Sequence, residues 1–198
     1  MKSRDWRNYL ESQHRDHAKV LFTVTELANA AGTTRRAVNV ELARLRRQGE
    51  IVKYAHGRYG LPRAVTVETL LAAIDSHAYI TGSFALHTHS LITQMPTRIT
   101  CMTDRYSPKG RERITPLGRF LLVCVRSRVY TPPEGGVVAG PIQALCDFVY
   151  LTRRAGGNPE SIVTFRNLKE LALTDRILRR YPKSVQQAVY ELTVAESE

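Results

Sequence analysis

Arg35, Arg36 and Asn39 are the side chains of this sequence best suited to a definite chemistry. A guanidinium presents two parallel N–H donors that match the N7 and O6 acceptors of guanine, and a carboxamide pairs in the same bidentate way with adenine. Around them stand Thr25, Thr33, Thr34, Arg44, Lys53 and Arg58, residue types that contact phosphate oxygens and set register without reading sequence. Threonines at the start of a helix add amide donors and the positive end of the helix dipole, both favourable to phosphate. The bland alternative is that the arginines only solvate a surface helix. Their placement beside those threonines and beside a basic segment argues against it.

These side chains need a frame, and the flanking residues supply one. Thr23 and Glu26 have the spacing of a capping box, which starts a short helix that Gly32 closes. Thr33 or Thr34 can cap the next helix, whose Val38, Leu42 and Leu45 recur at i, i+4 and i+7 as one apolar stripe. Arg35, Arg36, Asn39 and Arg47 lie largely off that stripe. Gly49 ends the helix, and residues 51–54 and 56–59 read as two short strands around a turn. Upstream, Trp6, Tyr9 and Leu10 fit an amphipathic helix over 5–19, and residues 20–22 a small strand that joins the hairpin. This order predicts a winged helix-turn-helix DNA-binding domain over residues 1–63, its boundary marked by Gly60, Leu61, Pro62 and Arg63.

Charge agrees with that placement. The 198 residues carry 29 Lys+Arg against 18 Asp+Glu, net +11, which favours a polyanionic partner. Residues 1–63 hold 13 basic and 6 acidic side chains, net +7, so the other 135 residues carry 16 against 12, net +4. Hydrophobic residues make up 43%, enough for a packed core. There is no 18-residue apolar run, and the N-terminus leads into a polar helix rather than a signal-peptide core, so a cytoplasmic location is expected. Cys101, Cys124 and Cys146 are widely spaced among apolar neighbours and read as reduced core residues.

Residues 64–198 read as a mixed domain. Thr66 can cap a helix bearing Leu70, Leu71 and Ile74, and Gly82 or Ser83 starts another through Leu91. From Pro96 the pattern turns to strands, at 98–103 and in the apolar run 120–125, with 104–113 as an exposed hairpin loop between them. Gly140 and Pro141 open a helix that ends at Gly156 and Gly157, and two more helices are expected at 168–180 and 184–194. The fold expected is therefore α+β: the winged helix-turn-helix, then a small, mostly antiparallel sheet flanked by helices.

Catalytic patterns are weak throughout this second part. His87 and His89 stand at i, i+2, on different faces of a helix, with no cysteine or carboxylate to complete a metal site. Gly82-Ser83 resembles the opening of a nucleotidyltransferase motif, but the next acid, Asp104, stands alone where a magnesium-holding pair is needed. Ser83 is outside any Gly-x-Ser-x-Gly elbow. Asp147 and Glu134 do not form the carboxylate cluster of a metal-dependent nuclease, and Asp147 reads as a structural carboxylate. No enzyme activity, metal or cofactor is expected.

The segment from Ile80 to Arg105 resembles the AbiEi family of abortive-infection antitoxins. Ser83, Ala85, Leu86, His89, Leu91, Thr93 and Pro96 stand at matching places, and Ser90 occupies the position where glycine is expected. The order of segments is similar over roughly residues 5–165. The resemblance implies a transcriptional repressor that binds its own promoter and serves as antitoxin to a nucleotidyltransferase-type toxin. Expected partners are thus double-stranded DNA, that toxin, and a second copy of the chain on DNA, with no membrane. The alternative is a stand-alone winged-helix regulator whose C-terminal domain senses a ligand or a protein.

Overall fold

The computed structural model describes residues 3–106, 110–171 and 175–195. The chain is α+β and forms two compact units, Met1–Ile74 with Thr115–Leu117, and Asp75–Ile114 with Gly118–Glu198. The sequence places the boundary at 63, whereas the units divide after Ile74, because helix α4 (Val67–Ile74) packs on strand β2 (Val52–Ala55) of the first unit. Among the described residues no helix is long and apolar enough to cross a membrane.

In the first unit, α1 (Ser3–His17) precedes β1 (Phe22–Thr23), α2 (Val24–Ala30), α3 (Arg35–Arg47), β2 and β3 (Arg58–Gly60). The three strands form an antiparallel sheet in the order β1-β3-β2. The core gathers one face from each element: Trp6 and Leu10 from α1, Phe22 from β1, Leu27 from α2, Val38, Leu42 and Leu45 from α3, and Tyr59 from β3. Each such burial contributes about 1.5–3 kcal/mol, so the helices are held by this shared interior more than by their own short length. Gly60 is no linker residue. It ends β3 in a buried position, where a Cβ would come within 2.3 Å of the Val20 carbonyl oxygen, so only glycine lets the two backbones approach.

The second unit centres on a four-stranded sheet in the order β4-β5-β7-β6, built from β4 (Tyr79–Thr81), β5 (Ile99–Thr103), β6 (Glu112–Thr115) and β7 (Gly118–Cys124). β4 and β5 are antiparallel, but β5 and β7 run parallel in the register Ile99↔Phe120 to Thr103↔Cys124. The expected hairpin between these two strands is therefore absent: parallel neighbours need a crossover, and the tight turn lies instead between β6 and β7. Residues 107–109 of that crossover lie outside the described residues. Helices α5 (Gly82–Thr88), α6 (Pro141–Arg154) and α8 (Lys183–Ala195) pack in series, with Leu86, Met102, Leu145, Val149 and Val189 in the core.

The single helix expected at 168–180 is not formed. A 3-10 turn at Leu168–Glu170 ends where Leu171 turns extended, and α7 spans only Asp175–Leu178, with residues 172–174 outside the described set. Cys101 and Cys146 are buried, and burial pushes both thiols well above their usual range; Cys124, at the open end of β7, is exposed, contrary to its core assignment.

Candidate nucleic-acid interface

The α2–turn–α3 segment is fixed by local chemistry at both helix starts. Thr23 accepts from the Glu26 N–H while the Glu26 carboxylate accepts from the Thr23 N–H at 2.8 Å, completing the capping box. The carboxylate also receives Lys19 Nζ at 3.0 Å. Burial would raise the Glu26 pKa, but the Thr23 amide and Lys19 outweigh it and hold the group below its ordinary value. Gly32 takes φ +59 between the helices, a conformation that costs glycine little. Thr34, not Thr33, caps α3, its Oγ1 accepting from the Ala37 N–H at 3.3 Å.

With Val38, Leu42 and Leu45 buried, helical spacing of 3.6 residues per turn puts Arg36, Val40, Ala43 and Arg47 on the opposite, exposed side. Arg35, Asn39 and Arg46 are exposed along one flank of that face. Among the described residues, none of Arg35, Arg36, Arg46 and Arg47 is in an ion pair. Arg44 differs. It lies on the other flank, half-buried, with its guanidinium held by Glu41 one turn back, so much of its charge is already compensated. The sequence reads Arg44 as a phosphate contact; in the fold it stands on the flank opposite Arg35 and Asn39. Sequence reasoning also passed over Val40, which is 64% exposed. Its place one turn after Arg36 and two turns before Arg47, off the stripe of Val38, Leu42 and Leu45, is the sequence signal that could have found it.

The β2–β3 hairpin turns at Gly57, φ +66, with a register shift between Lys53 and Ala55. Lys53 and His56 are exposed, and Arg58 is half-buried opposite Thr23 on β1. Thr25 and Thr33 are exposed, on the first turn of α2 and in the inter-helix turn. Of the sequence-predicted residues, Thr25, Thr33, Thr34, Arg35, Arg36, Asn39 and Lys53 are exposed on α2, the inter-helix turn, α3 and β2, and Arg44 and Arg58 are half-buried on α3 and β3.

In the second unit Asp147 and Asp104 are engaged apart from each other. Asp147 on α6 is fully buried and accepts from Thr81 Oγ1 at 2.7 Å, Tyr79 Oη at 3.1 Å and Tyr181 Oη at 2.6 Å. Burial pushes its pKa up to about 7 against the pull of these three hydroxyls. Asp104 Oδ1 lies 3.2 Å from His77 Nδ1, and the Arg105 guanidinium meets the other ring nitrogen. His89 Nε2 donates to the Ala139 carbonyl at 2.8 Å, which ties α5 to the segment before α6. Among the described residues no group of three or more His, Cys, Asp or Glu could hold a metal ion. Ser90 takes φ +59 and closes a Schellman motif, with its N–H on the His87 carbonyl and the Leu91 N–H on the Leu86 carbonyl. No protein-family model matches the chain, and no curated protein matches it.

Proposed function

We propose that the chain is a sequence-specific DNA-binding transcriptional regulator whose first unit is a winged helix-turn-helix, with α3 as the reading helix and the β2–β3 hairpin as the wing. The observation that carries this reading is the basic face of α3, free of ion pairs among the described residues: Arg36 and Arg47 bracketing Val40 and Ala43, with Arg35, Asn39 and Arg46 alongside, opposite a stripe seated in the core. A helix presented this way suits the major groove, where arginine, asparagine and a small apolar side chain match guanine, adenine and the thymine methyl respectively. The exposed Lys53 and the half-open Arg58 suit backbone phosphates beside it.

The further role, autorepressing antitoxin against a nucleotidyltransferase-type toxin, rests on the AbiEi-like segment. Ser90 bears on it: φ +59 is the conformation that glycine adopts without strain, so serine at the family's glycine position leaves the backbone path intact. The second unit is read as non-catalytic, with Asp104 engaged by His77 and Asp147 closed off from solvent. The test is a gel shift of the full chain on its gene's upstream region against a random duplex. Arg36→Ala should weaken the specific complex about 10-fold or more while sparing the random one, since a bidentate base contact discriminates by about 1–3 kcal/mol. Arg58→Ala should weaken both together. Equal loss on both duplexes from Arg36→Ala would remove base reading from α3.

A further inference from the structure

A second concentration of unneutralised charge lies in the second unit. A cleft of about 600 Å³ opens beyond the end of β7, and four arginines line it: Arg126 and Arg128 from the turn after β7, Arg154 from the last turn of α6, and Arg180 just before α8. Among the described residues no carboxylate lines it and none of the four is in an ion pair. Arg126, Arg128 and Arg154 are exposed and Arg180 is half-buried. A concave surface lined by four cations attracts an anion.

The cleft is also firmly built. The turn bearing Arg126 and Arg128 closes with the Val129 N–H on the Arg126 carbonyl at 2.9 Å, and its entry is held by the Val125 N–H on Thr103 of β5 at 3.0 Å. Arg180 donates to Thr131 Oγ1 at 2.5 Å. Tyr150, which lines the cleft one helical turn before Arg154, is braced by the Tyr181 ring at 6.2 Å between centroids. Tyr181 is itself fixed by Asp147. Of the four guanidiniums Arg180 is positioned by Thr131 and the other three are exposed; a guanidinium matches phosphate oxygens bidentately, and a half-open aromatic wall suits a planar ring. A concave space within the usual 300–1,000 Å³ range for small-molecule sites favours a small ligand over a polymer strand.

We propose that this cleft binds a phosphorylated small molecule of nucleotide type, its phosphates among Arg126, Arg128, Arg154 and Arg180 and its ring against Tyr150. The site is independent of α3 and makes the second unit a sensor of a phosphorylated metabolite. The test is calorimetric titration of the full chain with inorganic pyrophosphate, ATP, GTP and adenosine at low salt. Pyrophosphate and the nucleotides should bind, the nucleotides at least 10-fold tighter, and adenosine should not. Arg128→Ala with Arg154→Ala, both on exposed residues, should weaken binding at least 10-fold, whereas Arg36→Ala with Arg47→Ala should leave it unchanged. Tyr150→Phe should keep the nucleotide preference, and Tyr150→Ala should reduce it to the pyrophosphate level. The proposal is overturned if no phosphate compound binds the folded protein at millimolar concentration, or if binding survives loss of Arg128 and Arg154. It is equally overturned if that double variant loses only affinity for random duplex DNA, which would make the cleft a DNA backbone surface.

Discussion

Replacing Asp147 by asparagine should change how stability depends on pH. The carboxyl has a pKa near 7 in the folded chain against a reference value of 3.8, because burial disfavours the charged form more than three hydroxyl donors favour it. The folded state therefore keeps a proton that the unfolded state releases. Its stabilising effect is complete below about pH 4, falls by about 1.4 kcal/mol per pH unit up to about pH 7, and levels off above that. The whole loss is on the order of 4 kcal/mol. Asparagine mimics the protonated form: its carbonyl can accept from two hydroxyls and its amide can donate to the third, which turns to accept. The check is urea unfolding of both proteins from pH 4.5 to 8. Native stability should fall relative to the variant as pH rises to 7, so that Asp147→Asn becomes the more stable of the two near neutrality. Parallel profiles would mean that Asp147 ionises at its ordinary pKa, and the desolvation reasoning would be wrong.

Three other outcomes follow from particular positions. Val40 should contact a thymine methyl, so replacing thymine by uracil at that step should cost the native protein about 1 kcal/mol and Val40→Ala much less, measured by anisotropy on matched duplexes. Ser90→Gly should stabilise the chain by about 0.5–1 kcal/mol, because relief of a left-handed conformation costing about 1–2 kcal/mol exceeds the entropy lost to glycine; an unchanged or lower melting point would contradict it. Gly60→Ala should destabilise by about 2–3 kcal/mol, through the 2.3 Å clash with the Val20 carbonyl, and thermal unfolding would detect it.

The first unit was the more legible in the sequence because its signals are local. The capping box at Thr23 and Glu26, the stripe of Val38, Leu42 and Leu45, and the turn glycines act over a few residues, and the helices and hairpin form where those residues place them. The second unit depends on long-range pairing. Nothing in residues 98–125 announces that β5 and β7 are parallel neighbours, since strand direction is set by the crossover and not by alternation within either run. The three-residue β4 is too short to show a period, and the 168–180 segment holds a 3-10 turn and a four-residue helix where one helix is expected. The site followed the same division. Arg35, Arg36 and Asn39 could be read from helical spacing, whereas the capture of Arg44 by Glu41 and the meeting of Arg126, Arg128, Arg154 and Arg180 required the folded chain.

The salt dependence of DNA binding by the full chain, with and without Arg36 and Arg47, bears most directly on the assignment of α3. Anisotropy titrations between 50 and 300 mM salt on the gene's upstream duplex should give a log-log slope of roughly −3 to −5, as about three to six phosphate contacts require. In Arg36→Ala with Arg47→Ala the preference over a random duplex should disappear and the midpoint should move to lower salt. No binding at 50 mM salt, or an unaltered preference in the double variant, would contradict the placement of the reading surface on α3.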